Sequence, residues 1–433
     1  MLVAPSSPMT GAPSYAPSLA AGPTAPDPVE PEGLLRALDR VPDPRDPRGV
    51  RYRLATLLAI GVCAMTAAGH NSLVSIGEWA RRCDQRTLAA LGCPYDPMAG
   101  RMRCPDEKTL RDAYGRVDAS ELTRAGFERL AALARQHASA APSGLTPHGL
   151  PEREQRRAHH RAAERDARPR GRVAFAADGK CLRGAKRPDG TQIYVFSAVR
   201  HHDALTAAAR EVGAKTNEIP EFQPLMEDIP DEELKDAVVT LDALHAQREH
   251  ARCLVEERGA HYLLSVKGNQ KHLAQQLKSL PWKQIPVLHR TRERGHGREE
   301  IREVQVASVN NLLFPHARQV VRIRRRRRPL GTKKWSEEIV YAVTDLPTEQ
   351  ASAEEIAAWA RDHWTIENSV HWIRDVVFGE DARTIRTRNA PAIMAGLGDI
   401  VRSTLRAIGW ANAAGARRAH TDPAAILRLH GIT

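Results

Sequence analysis

Val173-Ala174-Phe175-Ala176-Ala177-Asp178-Gly179-Lys180 decides how this chain folds: a short apolar run closed by an acid and a glycine. Such runs, bounded by turn-forming residues, read as buried strands. A second run of the same kind, Val238-Val239-Thr240-Leu241-Asp242, leads into Ala243-Leu244-His245-Ala246-Gln247. Around them, β-rich runs at 172–178, 191–200, 204–212, 236–242 and 261–266 are joined by helical patterns near 218–228, 246–258 and 269–280. Three successive strands followed by strand–helix alternation predict an α/β fold, a mixed sheet covered by helices.

Farther out, residues 283–345 turn strand-like again, with 300–309, 319–325 and 336–344 as the strands of a β-rich insertion. Helical spacing returns from 353 to about 378, and Pro391 suits the first turn of a helix ending before Gly409. Pro423 opens a short last helix in a tail of residues 411–433. Towards the N-terminus, 34–38, 54–68, 73–82 and 109–114 have helical spacing, and Asp118 to Glu121 reads as a capping box for a helix running to about Arg135. Residues 31–137 are therefore expected to form an all-helical N-terminal domain, a DNA-contacting unit or a scaffolding bundle, followed by a catalytic domain over 171–410. The Pro-, Ala- and Ser-rich residues 1–30 are expected to be disordered, and 138–170, with Arg153, Arg156, Arg157, Arg161, Arg165, Arg168 and Arg170, form a basic linker.

Bulk properties narrow the class of partner. Lys plus Arg outnumber Asp plus Glu by 64 to 52 over 433 residues, a formal charge of +12 that favours a polyanion. The six cysteines form no CxxC pair, so reduced thiols in a cytoplasmic protein are expected rather than zinc or a disulfide framework. The longest apolar stretch, 54–68, falls short of the roughly 20 residues of a membrane span. A buried helix is the expectation there, and no membrane partner.

Three acids stand out. Asp178 and Asp242 close strands, while Glu367 lies in the helically spaced His363-Trp364-Thr365-Ile366-Glu367-Asn368. Two strand-end carboxylates and one on a helix can meet in space, and such oxygen donors suit Mg²⁺, with Mn²⁺ as a substitute. Two ions roughly 4 Å apart stabilise the attacking and leaving oxygens of in-line phosphoryl transfer. Asp375, Glu380 and Asp381 compete with Glu367 for the third place; Trp364 and Ile366 should anchor its helix, and Trp364 and Trp372 read as core residues. For contact with DNA the candidates are Lys180, Lys267, Asn269, Gln270, Arg298, Arg322, Arg324, Arg325, Arg326 and Arg374, with His296 beside them. Lys267, Asn269 and Gln270 read equally well as ordinary caps of a helix N-terminus.

Several words of the sequence occur together: Asp178-Gly179-Lys180-Cys181-Leu182-Arg183-Gly184, Lys215-Thr216-Asn217-Glu218-Ile219, Thr240-Leu241-Asp242-Ala243-Leu244-His245-Ala246-Gln247 and Tyr262-Leu263-Leu264-Ser265-Val266-Lys267-Gly268-Asn269-Gln270. His296-Gly297-Arg298, the word around Glu367, and Glu380-Asp381 complete the series, which resembles the DDE transposases of bacterial insertion sequences, particularly the H-repeat-associated group. The resemblance implies a ribonuclease H-like core with Asp178, Asp242 and Glu367 as catalytic metal ligands. It further implies strand cleavage and 3′-hydroxyl transfer on double-stranded DNA, at element ends and target, by a dimer when two ends are synapsed. In the wider group an Arg often precedes the Trp before the catalytic Glu; here that position is His363, and a later basic residue is Arg374. A co-opted DNA-binding protein, or a nuclease on the same core, are the competing functions.

Overall fold

The computed structural model describes residues 32–139, 152, 171–187, 190–213, 217–295 and 297–433. The expected disordered tail, the arginines Arg153 to Arg170 of the basic linker, and Lys215, Thr216 and His296 lie outside the described residues.

The chain begins with helices α1 (Leu34–Leu38), α2 (Leu54–Thr66), α3 (Leu73–Arg82), α4 (Gln85–Ala90), α5 (Glu107–Arg116) and α6 (Ala119–Ser139). Every residue of α2 is buried, as a helix apolar on all sides requires. Ser72 opens α3 in a reciprocal capping box with Ser75, and Asp106 caps α5 through Thr109 N. In the second half come α7 (Glu218–Glu227), α8 (Arg248–Arg252), α9 (Lys271–Ser279), α10 (Ala353–Asp362) and α11 (Trp372–Val376), then α12 (Ala390–Ala407), α13 (Ala413–Ala419) and α14 (Pro423–Leu429). Leu57 and Ile60 of α2 share one apolar core with Ile393 and Leu397 of α12 and with Ile426 of α14, so the two ends of the described chain fill a single interior. Among the described residues no helix is long and apolar enough to cross a membrane.

Nine strands form one sheet: β1 (Ala174–Lys186), β2 (Gln192–Arg200), β3 (Thr206–Val212), β4 (Val238–Leu241), β5 (His261–Val266), β6 (His289–Gly295), β7 (Arg298–Ser308), β8 (Gln319–Pro329) and β9 (Ser336–Thr344). Their spatial order is β3-β2-β1-β4-β5-β9-β8-β7-β6. Pairs β1–β4 and β4–β5 are parallel, and the rest antiparallel. The first five strands make the expected ribonuclease H-like mixed sheet. The β-rich insertion continues that sheet, because Tyr341 to Thr344 of β9 pair with Val266 to Leu263 of β5. Strand β6 was not legible in advance: His-Arg-Thr-Arg-Glu-Arg-Gly is charged and exposed, as an edge strand that resists further pairing tends to be.

Alternation along β1 and β4 sorts the side chains to two faces. Phe175, Ala177, Val239 and Leu241 pack with Phe222 and Leu225 of α7. On the opposite face Ala174 and Val238 meet Ile356 and Trp359 of α10, while Ala176 meets Ile366 and Val370. Helix α10 starts from a capping box between Ser352 and Glu355, and the helical run continues past it into a wide turn, Glu367–His371, whose bond closes from Trp372 N to Glu367 O. This run across the sheet carries the third acid.

Candidate active site

Parallel register brings the two aspartates together. Ala177 of β1 lies beside Leu241 of β4, so the next step along each strand places Asp178 next to Asp242, where the parallel ladder ends. Neighbouring strands are about 4.8 Å apart. Both acids follow an even-numbered alternation with Ala174, Ala176, Val238 and Thr240, and so share the face under the helical run.

Above them, residues spaced by four along the run make successive contacts with the strands. His363 Nδ1 lies 2.9 Å from Thr240 Oγ1, His371 Nδ1 lies 3.7 Å from Asp178 Oδ2, and Asp375 accepts from Lys180 Nζ at 2.8 Å. Glu367 falls between His363 and His371 in that series, with Ile366 and Val370 fully buried at its side. Three steps of four residues would drift by about 120° on an α-helix of 3.6 residues per turn. The π-type turn takes back part of that drift, which keeps the stripe over the strand ends; single π turns recur at functional sites.

The electrostatics mark the same place. Burial first, then the carboxylates of Glu218, Glu367 and Asp242, push the Asp178 carboxyl up to about 7. Burial also raises Glu367. Burial and the nearby Arg374 and Lys180 charges push His371 down to about 3, so its approach to Asp178 is that of a neutral ring. Among the described residues Asp178, Asp242 and Glu367 have no Lys or Arg partner. Their competitors do: Lys180 is 2.7 Å from Asp375 and 3.7 Å from Asp381, and Arg374 clamps Glu380 at 2.5 and 2.7 Å. An acidic face left without a cation, built from hard oxygen donors, has the chemistry to hold divalent ions. Among the described residues the acids are electrostatic neighbours but are not drawn into one closed ligand cluster.

Stability should report this crowding. In chelator, folding takes up a proton on Asp178 between its ordinary 3.8 and about 7, so stability falls as pH rises through that window. The slope is at most about 1.4 kcal/mol per pH unit. Denaturation midpoints from pH 5 to 8 should converge at acid pH for wild type and Asp178→Asn, and separate in favour of the variant towards pH 8. Parallel profiles would count against the shift.

The expected DNA contacts divide. Lys267 and Asn269 are exposed at the 3-10 turn Gly268–Gln270 that leads into α9, and Asn269 donates to Ala243 O, tying down the loop after Asp242. Arg298 is about half exposed. The arginine run lies along β8 laced with acids: Arg324 pairs with Glu337, Arg325 with Glu300, Arg326 with Glu303, Arg327 with Glu338 and Arg328 with Glu299. Arg322 donates to Gln305 Oε1 over the Trp282 ring. Lys180 and Arg374 differ from expectation, because both are buried in ion pairs and neither presents its charge outward. Trp364 and Trp372 also differ: they are 46% and 56% exposed, on the outer flank of the run, with Arg325 over the Trp364 ring. Ile366 and Val370 do the anchoring instead. His363 is half-buried and bonded to Thr240, which fixes it to the sheet.

Two participants were missed in the sequence. His371 is four residues past Glu367, a spacing that could have flagged it. Glu218 presses against Gly179 from the other face of the sheet, and its word, Asn217-Glu218-Ile219, carried the resemblance without suggesting a role.

Comparison with known proteins gives the family. Residues 169–397 match the family model described as "Transposase DDE domain", and residues 35–128 the one described as "DDE_Tnp_1-associated". "Putative transposase YncI" of Escherichia coli O157:H7 is 29% identical over 247 residues, 54% of this chain and 61% of that protein. "H repeat-associated putative transposase YhhI" of Escherichia coli strain K12 is 28% identical over 236 residues, 52% of this chain and 61% of the relative. The chain thus spans about three-fifths of the length of these relatives. With the family model matched over more than half its length, the chain belongs to the family of transposases with a DDE domain.

Proposed function

We propose that this protein is a DNA transposase that binds the ends of its insertion sequence, cleaves there, and joins the freed 3′-hydroxyl to target DNA. One observation carries the reading: of the acids gathered on this face, Asp178, Asp242 and Glu367 alone lack a Lys or Arg partner among the described residues, while Asp375, Glu380 and Asp381 have one. These three would hold Mg²⁺, or Mn²⁺ in its place. Bound there, a pair of such ions would supply Lewis-acid stabilisation of the attacking and leaving oxygens.

The chain's own part is to position and to switch charge. With its carboxyl pushed up to about 7, Asp178 is only partly ionised at neutral pH and gives up its proton when a cation enters, so ion binding should weaken below about pH 7. Ile366 and Val370 lock the turn that carries Glu367 to the sheet, and Asp242 accepts from Leu244 N at 2.9 Å, which sets the rotamer of its carboxylate. In-line attack by water or a 3′-hydroxyl, with the strand's own 3′-oxygen or the target's as leaving group, needs no covalent protein–DNA intermediate. The net charge of +12 favours a polyanionic partner, and cytoplasmic action at the nucleoid follows from such a substrate. A dimer would allow two ends to be held together.

Purified protein incubated with end-labelled element termini, target plasmid and Mg²⁺ should give nicks at the element boundary and joined products. Cleavage without joining would assign a nuclease. Binding without cleavage, in Mg²⁺ and in Mn²⁺, would assign a DNA-binding descendant of a transposase.

A further inference from the structure

Glu218 opens α7, on the face of the sheet opposite Asp178, yet it reaches the strand beneath that residue. A Cβ at Gly179 would collide with its carboxylate, so only glycine lets Glu218 come this close to β1. Its Oε2 lies 3.2 Å from His245 Nε2. A carboxylate only accepts, so His245 carries its proton on Nε2.

His245 is 1% exposed and stacked on Phe196, with ring centroids 4.7 Å apart and planes 6° from parallel. It belongs to the loop that begins at Asp242, and Asp242 Oδ1 accepts from Leu244 N and His245 N at 2.9 and 3.4 Å. The loop meets α7 a second time at His250, whose two ring nitrogens lie 3.2 Å from His245 O and 3.2 Å from Ile219 O; burial pushes its pKa down to about 4, so the neutral ring donates to one of the two. One side chain therefore touches the backbone next to Asp178 and anchors the loop that orients Asp242. No cation neutralises Glu218 among the described residues, other than a protonated His245.

We infer that Glu218 is a positioning residue of the carboxylate centre: wedged at Gly179 and bonded to His245, it fixes the separation and orientation of Asp178 and Asp242. The inference rests on the reading of those two as the reacting carboxylates. Glu218 itself lies on the α7 side of the sheet, opposite the helical run that carries Glu367. Groups that orient ligands in this way typically alter metal affinity or activity by about 10–100-fold when removed.

The test compares Glu218→Ala, Glu218→Gln and Asp178→Asn in the full chain. DNA-end cleavage is followed at saturating DNA while Mn²⁺ is titrated, and end binding is measured in parallel. Glu218→Ala should bind ends like wild type, yet turn over about 10–100-fold more slowly, with the half-saturating Mn²⁺ concentration raised. Glu218→Gln keeps an acceptor for His245 and should recover most of both losses. Should Glu218→Ala not fold, His245→Phe keeps a ring against Phe196 but has no N–H for Glu218, so it cuts the same link from the other side and should show the same raised Mn²⁺ requirement. Wild-type turnover and Mn²⁺ dependence in Glu218→Ala, or in His245→Phe where that variant replaces it, overturn the inference if Asp178→Asn is inactive. A Gln variant as impaired as the Ala variant overturns it too. An active Asp178→Asn points instead to failure of the underlying reading.

Discussion

Asp178→Asn should abolish metal-dependent strand cleavage, by about 10³-fold or more, and leave binding to element ends within a few-fold of wild type. Asparagine matches the volume of the acid but cannot become an anion, so the centre loses one of its charged oxygen donors at the point where β1 and β4 meet. A thousandfold is about 4 kcal/mol of transition-state stabilisation, within the several kcal/mol assigned to metal-ion catalysis. Binding should survive because Asp178 is half-buried and contributes no positive charge to phosphate contact. Glu367→Gln should behave alike, although Glu367 is exposed and its loss should leave stability unchanged. Cleavage products from labelled ends, with filter or gel-shift binding beside them, decide the matter. Purified Asp178→Asn that still cleaves in a metal-dependent way would falsify the assignment.

Arg374→Ala is expected to cost about 3–5 kcal/mol of stability, the penalty for leaving a buried charge without its partner. Its guanidinium is 1% exposed, grips Glu380 through two hydrogen bonds, and lies 3.8 Å from Asp399. Burial disfavours both charges, but their attraction wins: the Arg374 pKa is raised and that of Glu380 lowered. Lysine should not rescue, because it offers a point charge where a planar fork is needed. The paired replacement Arg374→Met with Glu380→Leu should regain most of the loss, since no orphan charge remains. Denaturant midpoints of the single and double variants provide the check. If Arg374→Ala were as stable as wild type but bound DNA less well, the outward-facing role suggested by the sequence would be restored.

Much of the site could be read before the structure because hydrophobic period and strand register are local. The runs ending at Asp178 and Asp242 gave two strands, and the observed β1 and β4 place those acids side by side. Glu367 was set apart from Asp375, Glu380 and Asp381 by its surroundings in sequence; in the structure those three are ion-paired, whereas Glu367 has no Lys or Arg partner among the described residues. What could not be read was partnership at long range. Lys180 and Asp375 are 195 residues apart, and nothing near either predicts the pair. The same holds for Trp364 and Trp372: their spacing fits a buried stripe, but each follows a histidine, His363 or His371, that faces the strands, and both lie on the outer flank.

Sequence alone thus determined the elements, the alternation that puts both aspartates on one face, and the excess of positive charge. Tertiary structure decided which charges remain free. Period and composition reflect burial along a single element, whereas neutralisation depends on which elements meet. That is why the arginines of β8 turn out to be matched by glutamates from β7 and β9, and why two carboxylates beneath one helical turn and a third on it are left without a Lys or Arg partner among the described residues.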